Sequence, residues 1–218
     1  GNFINRVVVL TNKYYNGKVP AAGSLTDVDN ETLEQLRKYP EIISNSIERY
    51  RFREAGQELM NLARLGNKYL ADAEPWKVIK VDEERVKTIM NVALQIAAGL
   101  AVLSEPFLPF TSSKLKNILN ITSTEGSPGE SWNYVSLKEE LLNPDHQINK
   151  AELLFRKIED SEIQAQLDKL EATKKANENE NKKAMPQKDT ITFDDFSKLD
   201  MRVGTIIEAE KMAKAKKL

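Results

Sequence analysis

The sequence predicts an all-α protein: a bundle of four or five helices joined by short turns, followed by a charged linker and a truncated β segment. Three observations predict it. Apolar residues recur at alternating spacings of three and four through most of the first 120 positions, the period of a helix that buries one face. Proline, glycine and capping residues punctuate that pattern at short intervals. One stretch, residues 82–104, is apolar over more than half its circumference, as the central helix of a bundle must be.

Taken in order, Phe3, Val7, Leu10 and Tyr14 are spaced 4, 3 and 4, and Gly17 with Pro20 ends this first helix. The helical pattern is already running at residue 1 with no cap before it, so sequence upstream of Gly1 is expected. Asp29 with Glu31 announces a second helix, which Pro40 is expected to break or restart before Ile42, Ile43, Ile47 and Tyr50. The third is the strongest. Phe52, Ala55, Leu59, Leu62, Gly66, Tyr69 and Ala73 follow spacings of 3, 4, 3, 4, 3 and 4, a bundle seam in which Gly66 would let a neighbour come close.

After Glu74-Pro75-Trp76-Lys77 comes the central helix, with Val86, Ile89, Met90, Ala93, Leu94, Ala97, Leu100 and Ala101. Pro106 and Pro109 make its exit, and residues 111–119 form one more short helix. Residues 122–133, rich in Gly, Pro, Ser and Thr, read as a loop; 134–142 and 151–158 read as short elements that close the bundle. From about 166 to 189 the chain is Lys, Glu, Asn and Gln with few apolar residues, a solvated linker with helical character at its start. Apolar residues return in 191–209, where Thr, Val and Ile favour a strand around 202–207. One strand cannot fold alone, which implies a truncated second domain. The divisions are 1–160 for the bundle, 161–190 for the linker and 191–218 for the last segment.

Composition narrows the function. With 32 basic and 33 acidic residues the net charge is −1, so any nucleic-acid site must be local. The chain has no cysteine, which excludes a disulfide scaffold, a thiolate metal site and a cysteine nucleophile. His146 is the single histidine; it excludes a histidine metal cluster and reads as an exposed loop residue. The longest apolar run, 96–103, is well short of the roughly 20 residues that span a bilayer, and no signal peptide is legible. No membrane role is expected, and a cytoplasmic location is the default. No carboxylate pair stands at a spacing that assigns acid and base roles, and no glycine pattern makes a phosphate loop.

The run GNFINR (1–6), then ERYRFREAGQELMNLARLGNKYLADAEPWK (48–77), EPFLPFTSSKLKNIL (105–119) and NKAELLFRKIED (149–160) resembles the anticodon-binding domain of methionyl-tRNA synthetases, in the order that family has. The Pro-Trp turn and the Phe-Arg-Glu-Ala helix start also occur in the class I synthetases for isoleucine, valine, leucine and cysteine. FDDFSKLDMRVGTIIEAEKMAKAKKL (193–218) is similar to the opening of the small EMAP-type OB-fold tRNA-binding domain appended to many methionyl enzymes. The resemblance implies a class I anticodon-binding bundle whose partner is methionine tRNA with its CAU anticodon. It implies no cofactor in this chain, ATP and zinc belonging to a catalytic domain that is missing here. His-Ile-Gly-His and Lys-Met-Ser-Lys-Ser type signatures are absent, so no catalytic residue is expected. A full-length homodimer through the last domain is implied by the same resemblance.

Trp76 matches the family's tryptophan that meets the anticodon. A rigid aromatic face can stack an unstacked base, worth roughly 1 to 3 kcal/mol, and Pro75 stiffens the turn presenting it. Packing as a bundle-capping aromatic is the structural alternative. Asn2 and Arg6 match the asparagine and arginine of the family's first helix, and their i, i+4 spacing puts them on one stripe. An amide offers donor and acceptor together, and arginine a planar fork for base or phosphate; an ordinary polar helix face is the alternative. Asn5 and Arg49 have weaker claims. Lys211, Lys214, Lys216 and Lys217 could touch RNA phosphate or form a solvated tail. The rival functions are the corresponding domain of another class I synthetase and a helical protein-interaction scaffold.

Overall fold

The computed structural model describes residues 1–121, 132–137, 140–181, 187–205 and 207–208. The chain divides into two units, Gly1–Lys157 and Ile158–Leu218.

In the first unit, α1 (Asn2–Tyr15), α2 (Asp27–Glu48), α3 (Phe52–Ala73), α4 (Pro75–Val78), α5 (Glu83–Leu103), α6 (Pro109–Ile118) and α7 (Trp132–Leu137) surround one apolar core. The helix α5 lies at its centre and packs against α1, α2, α3, α4, α6 and α7. Asp82 caps its start, accepting from the Arg85 N–H at 2.9 Å. By length and composition this helix is apolar enough to cross a membrane, although it has no uninterrupted apolar run of that length. Of its most apolar window 94% is buried inside the bundle, where a core helix belongs.

Two glycines set how closely helices approach. A β-carbon on Gly66 of α3 would stand 2.7 Å from the Phe3 ring of α1, and one on Gly99 of α5 would stand 2.6 Å from Leu36 of α2. The buried face of α1 is Phe3, Ile4, Val7, Val8 and Thr11, with Leu10 and Tyr14 only half-buried at its margin.

The helix α2 begins earlier than Asp29. Thr26 is its N-cap, and the Thr26 and Asp29 side chains each bind the other's backbone N–H in a capping box. Pro40 does not break it. The helix runs through the proline, whose missing N–H costs one backbone hydrogen bond, because Leu36, Pro40 and Ile43 are all buried and hold both halves against the bundle.

Three polar residues on one stripe of α5 fasten the connecting loops. Thr88 Oγ1 accepts from the Gly23 N–H at 2.9 Å, and Asn91 donates to the Pro20 carbonyl at 2.9 Å. Gln95 accepts from the Leu141 and Leu142 N–H groups at 2.6 and 3.0 Å and donates to the Leu142 carbonyl at 2.9 Å. The loop after α1 also pairs with a distant segment: Lys18 and Gln147 form an isolated antiparallel bridge. Around it, Val19 donates to His146 and Asp145 donates to Val19, both at 2.9 Å.

His146 is half-buried rather than exposed, its Nε2 lying 2.8 Å from the carbonyl of Leu119 at the end of α6. A sequence reading sees only a polar loop there; the bridge at Gln147 draws the ring against the helix end. Residues 151–159 are irregular instead of forming a short element. Of the expected loop 122–133, positions 122–131 lie outside the described residues, while Trp132 and Asn133 open α7.

The second unit contains α8 (Asp160–Asn181) and α9 (Phe193–Ser197), the latter opened by a Thr192–Asp195 capping box. The helix α8 extends through much of the charged linker. The strand expected at 202–207 is not formed among the described residues 201–205 and 207–208. Strand propensity needs a partner for the backbone N–H and C=O groups, and Val203 and Ile207 are fully exposed among the described residues. Lys211, Lys214, Lys216 and Lys217 lie outside the described residues.

Candidate nucleic-acid interface

The candidate site is built on a sharp break between two helices. Glu74 adopts a left-handed conformation, φ 42° and ψ 54°, which ends α3 and redirects the chain. Pro75 then takes the first position of α4, where its fixed φ suits a helix start and its missing N–H is no loss. Pro75 is buried, and Lys77 closes the turn with an ion pair to Glu74 at 2.7 Å. Trp76 is thereby held half-buried against the core on an element of only four residues.

From α1, Arg6 reaches the same place. Its guanidinium carbon lies 4.3 Å from the centre of the Trp76 ring, a cation–π contact. Asn2, one turn earlier on α1, is exposed, as is Asn5. The structure therefore brings Arg6 and Trp76 together, buries Pro75 at the start of the turn that carries Trp76, and leaves Asn2 a turn from Arg6 on the same helix. Arg49 belongs elsewhere. It caps the far end of α2, separated from α4 by the whole of α3, whose 22 residues span about 33 Å.

A buried ionic network fixes the helix ends that flank α4. Asp29 at the start of α2 accepts from the Tyr69 hydroxyl of α3 at 2.6 Å and from both terminal nitrogens of Arg85 on α5. Its side chain has no exposure to solvent. Burial opposes ionisation of Asp29, but hydrogen bonds from Arg85, Tyr69 and Thr26 outweigh it and bring the carboxyl down to about 2. Burial and the bond to Asp29 push the Tyr69 hydroxyl well above its ordinary range. The bond to Asp29 likewise raises Arg85. Tyr69 lies just before the end of α3 and Arg85 in the first turn of α5, so this network fixes the two elements between which Trp76 is presented. Nothing in the linear pattern pairs these three residues, since 40 and 56 positions separate Asp29 from its partners.

Residues 19–175 match the model of the anticodon binding domain of methionyl tRNA ligase. The chain belongs to that family. The match begins after α1, so Asn2 and Arg6 fall outside it, whereas full-length similarity includes them. Over all 218 residues the chain is 64% identical to a methionine–tRNA ligase of Christiangramia forsetii, of which it covers 32%. It is 63% identical to that of Flavobacterium psychrophilum and 54% identical to that of Phocaeicola vulgatus, covering 31% of each. The chain thus spans about a third of the length of the curated relatives it matches.

Among solved structures, methionyl-tRNA synthetase of Mycobacterium tuberculosis in complex with methionyl-adenylate superposes with a TM-score of 0.64 at 20% identity, over 72% of this chain and 30% of that one. The apo form of that protein gives 0.65 at 20% identity, over 73% and 32%. At that identity the likeness shows the fold, which is the all-α fold of an anticodon-binding domain. Neither a domain of another class I synthetase nor a protein-interaction scaffold is favoured by these matches.

Proposed function

We propose that this anticodon-binding domain recognises the CAU anticodon of methionine tRNA through Trp76, Arg6 and Asn2, with Pro75 presenting the tryptophan. The observation that carries the reading is the Arg6 guanidinium of α1 lying over the Trp76 ring of α4, 4.3 Å from its centre. An anticodon loop offers unstacked bases. Trp76 supplies a rigid face worth roughly 1 to 3 kcal/mol per stacked base. Arg6 supplies a fork of N–H donors for a base edge or phosphate and already has part of its water replaced by the ring. Asn2, with donor and acceptor on one amide, can read a base edge from the next turn.

Catalysis, the ATP-dependent attachment of methionine to the tRNA, would take place in the remaining two thirds of the enzyme. ATP and zinc would belong there, and no cofactor is proposed for this chain. Cytoplasmic location, and dimerisation of the full-length protein through a domain beginning at 191–218, belong to the same reading. Residues 161–190 then serve as the connection between the two tRNA-binding domains.

Titration of anticodon stem-loops against wild type and Trp76→Ala tests the proposal. Tighter binding of the CAU loop than of unrelated loops, lost on the substitution, is the expected result. Equal affinity for all loops, unchanged by Trp76→Ala, would overturn it.

A further inference from the structure

At the opposite end of α3 from Trp76, the turn between α2 and α3 carries a feature that packing does not explain. Tyr50 adopts φ 58°, the left-handed region. The Tyr50 N–H donates to the Ile47 carbonyl at 2.9 Å and the Arg51 N–H to the Ser46 carbonyl at 2.8 Å, so Tyr50 stands where a helix end ordinarily places glycine. A side chain there lowers stability, and burial does not offset the loss, because Tyr50 is 82% exposed. Its ring meets Phe52 edge-on, centroids 6.3 Å apart, and Phe52 is itself 60% exposed.

Arginines alternate with these rings. Arg49 and Arg53 are exposed and have no side-chain partner among the described residues. Arg51 makes only a surface ion pair with Glu54 at 3.5 Å, both side chains more than half exposed. Tyr50, Arg51, Phe52, Arg53, Glu54 and Gln57 line a concavity of about 490 Å³.

We propose that this turn is a second RNA contact, in which Arg49, Arg51 and Arg53 pair with backbone phosphates and the exposed faces of Tyr50 and Phe52 take an unpaired base or a ribose. Charge chooses the occupant. Three arginines fall within residues 49–53 and outnumber the flanking Glu48 and Glu54, in a chain whose net charge is −1, and a polyanion complements that concentration. Aromatic faces between the arginines favour a nucleic acid over an acidic peptide. That the RNA is the tRNA bound at Trp76 rests on the anticodon reading. One RNA touching both places must follow α3 for about 33 Å, and the added contact raises affinity whatever the anticodon.

Tyr50→Gly makes the test clean, because glycine suits the left-handed turn and the variant is expected to melt at or above the wild-type temperature. A whole tRNA transcript with a CAU anticodon is titrated over a series of salt concentrations with wild type, Tyr50→Gly, the pair Arg49→Gln with Arg53→Gln, and Trp76→Ala. Tyr50→Gly is expected to weaken binding about fivefold or more, and the arginine pair to lower the salt slope by about 1.5. Both effects persist when the anticodon is exchanged. Wild-type affinity and slope in these variants overturn the inference, even where Trp76→Ala loses binding and the anticodon reading stands. Weakened binding in Tyr50→Gly with Trp76→Ala unaffected supports the turn and sinks the anticodon reading instead. A photocrosslinker replacing Tyr50 in the full-length enzyme should capture tRNA; capture of another part of the enzyme overturns the RNA assignment in favour of an internal protein contact.

Discussion

Arg6 and Trp76 are stacked with 4.3 Å between the guanidinium carbon and the ring centre, and this contact links the first turns of α1 to the four-residue α4. The protein has two tryptophans, so a Trp132→Phe background leaves Trp76 as the sole indole reporter. In that background Arg6→Ala should shift Trp76 emission to the red as water replaces the guanidinium, and should lower stability by about 0.5 to 1 kcal/mol. Unchanged emission would show that the contact does not persist in solution.

Asp29 gives the fold a titratable joint. Its carboxyl falls from the ordinary 3.8 to about 2 on folding, so the folded state holds the charged form more tightly. The stabilisation is fully present above about pH 4 and is lost as pH falls towards 2. It amounts to about 2 kcal/mol. Denaturant unfolding of wild type between pH 5 and 2 should lose that much more stability than Asp29→Asn; parallel pH curves would rule the joint out.

Gln95 satisfies two buried N–H groups and one carbonyl of residues 141 and 142. Gln95→Leu keeps the volume near and strands all three, each worth about 1 to 3 kcal/mol when left unpaired. A loss of about 3 kcal/mol is expected, together with faster proteolysis of the loop at 141–143. Stability within 1 kcal/mol of wild type would contradict this account.

Gly66→Ala sets a methyl group against the Phe3 ring, 2.7 Å away at the ideal position. Phe3 is 2% exposed and α1 must shift, so a loss of about 1 to 3 kcal/mol is expected. Phe3→Leu should relieve part of the strain, and a double-mutant cycle measures the coupling. Strict additivity of the two changes would count against the close approach.

The Tyr15 hydroxyl is buried without a hydrogen-bond partner among the described residues. Burial, then the charges of Glu83, Glu84 and the nearby Tyr14, push its pKa up to about 12. Tyr15→Phe removes an unsatisfied polar group, and a melting temperature equal to or above wild type is expected. A clear drop would reveal a partner for the hydroxyl.

Much of this was legible in the chain because it is local physics. The 3–4 spacing of α3 and the apolarity of α5 over more than half its circumference gave both helices nearly to the residue, since burial of a face demands that period. The motifs around Trp76 carried the family, and the candidate residues Asn2, Arg6, Pro75 and Trp76 were all nameable from resemblance. What periodicity could not supply was company. Pro40 reads as a break because the cost of a lost hydrogen bond is local, whereas the burial that overrides it comes from other helices. Residues 202–207 read as a strand because their side chains prefer extended backbone, yet pairing belongs to a neighbour.

By itself, then, the sequence determined α1, α3 and α5, most of their buried faces, and the family, each of which depends on residues within a few turns of one another. Only the tertiary structure decided that Arg6 lies on Trp76, that Asp29 joins Tyr69 and Arg85, that His146 meets the end of α6, and that Arg49 stands at the opposite end of α3 from the tryptophan. Those relationships depend on distances between side chains far apart in the chain, which the packing of the helices sets and no local preference encodes.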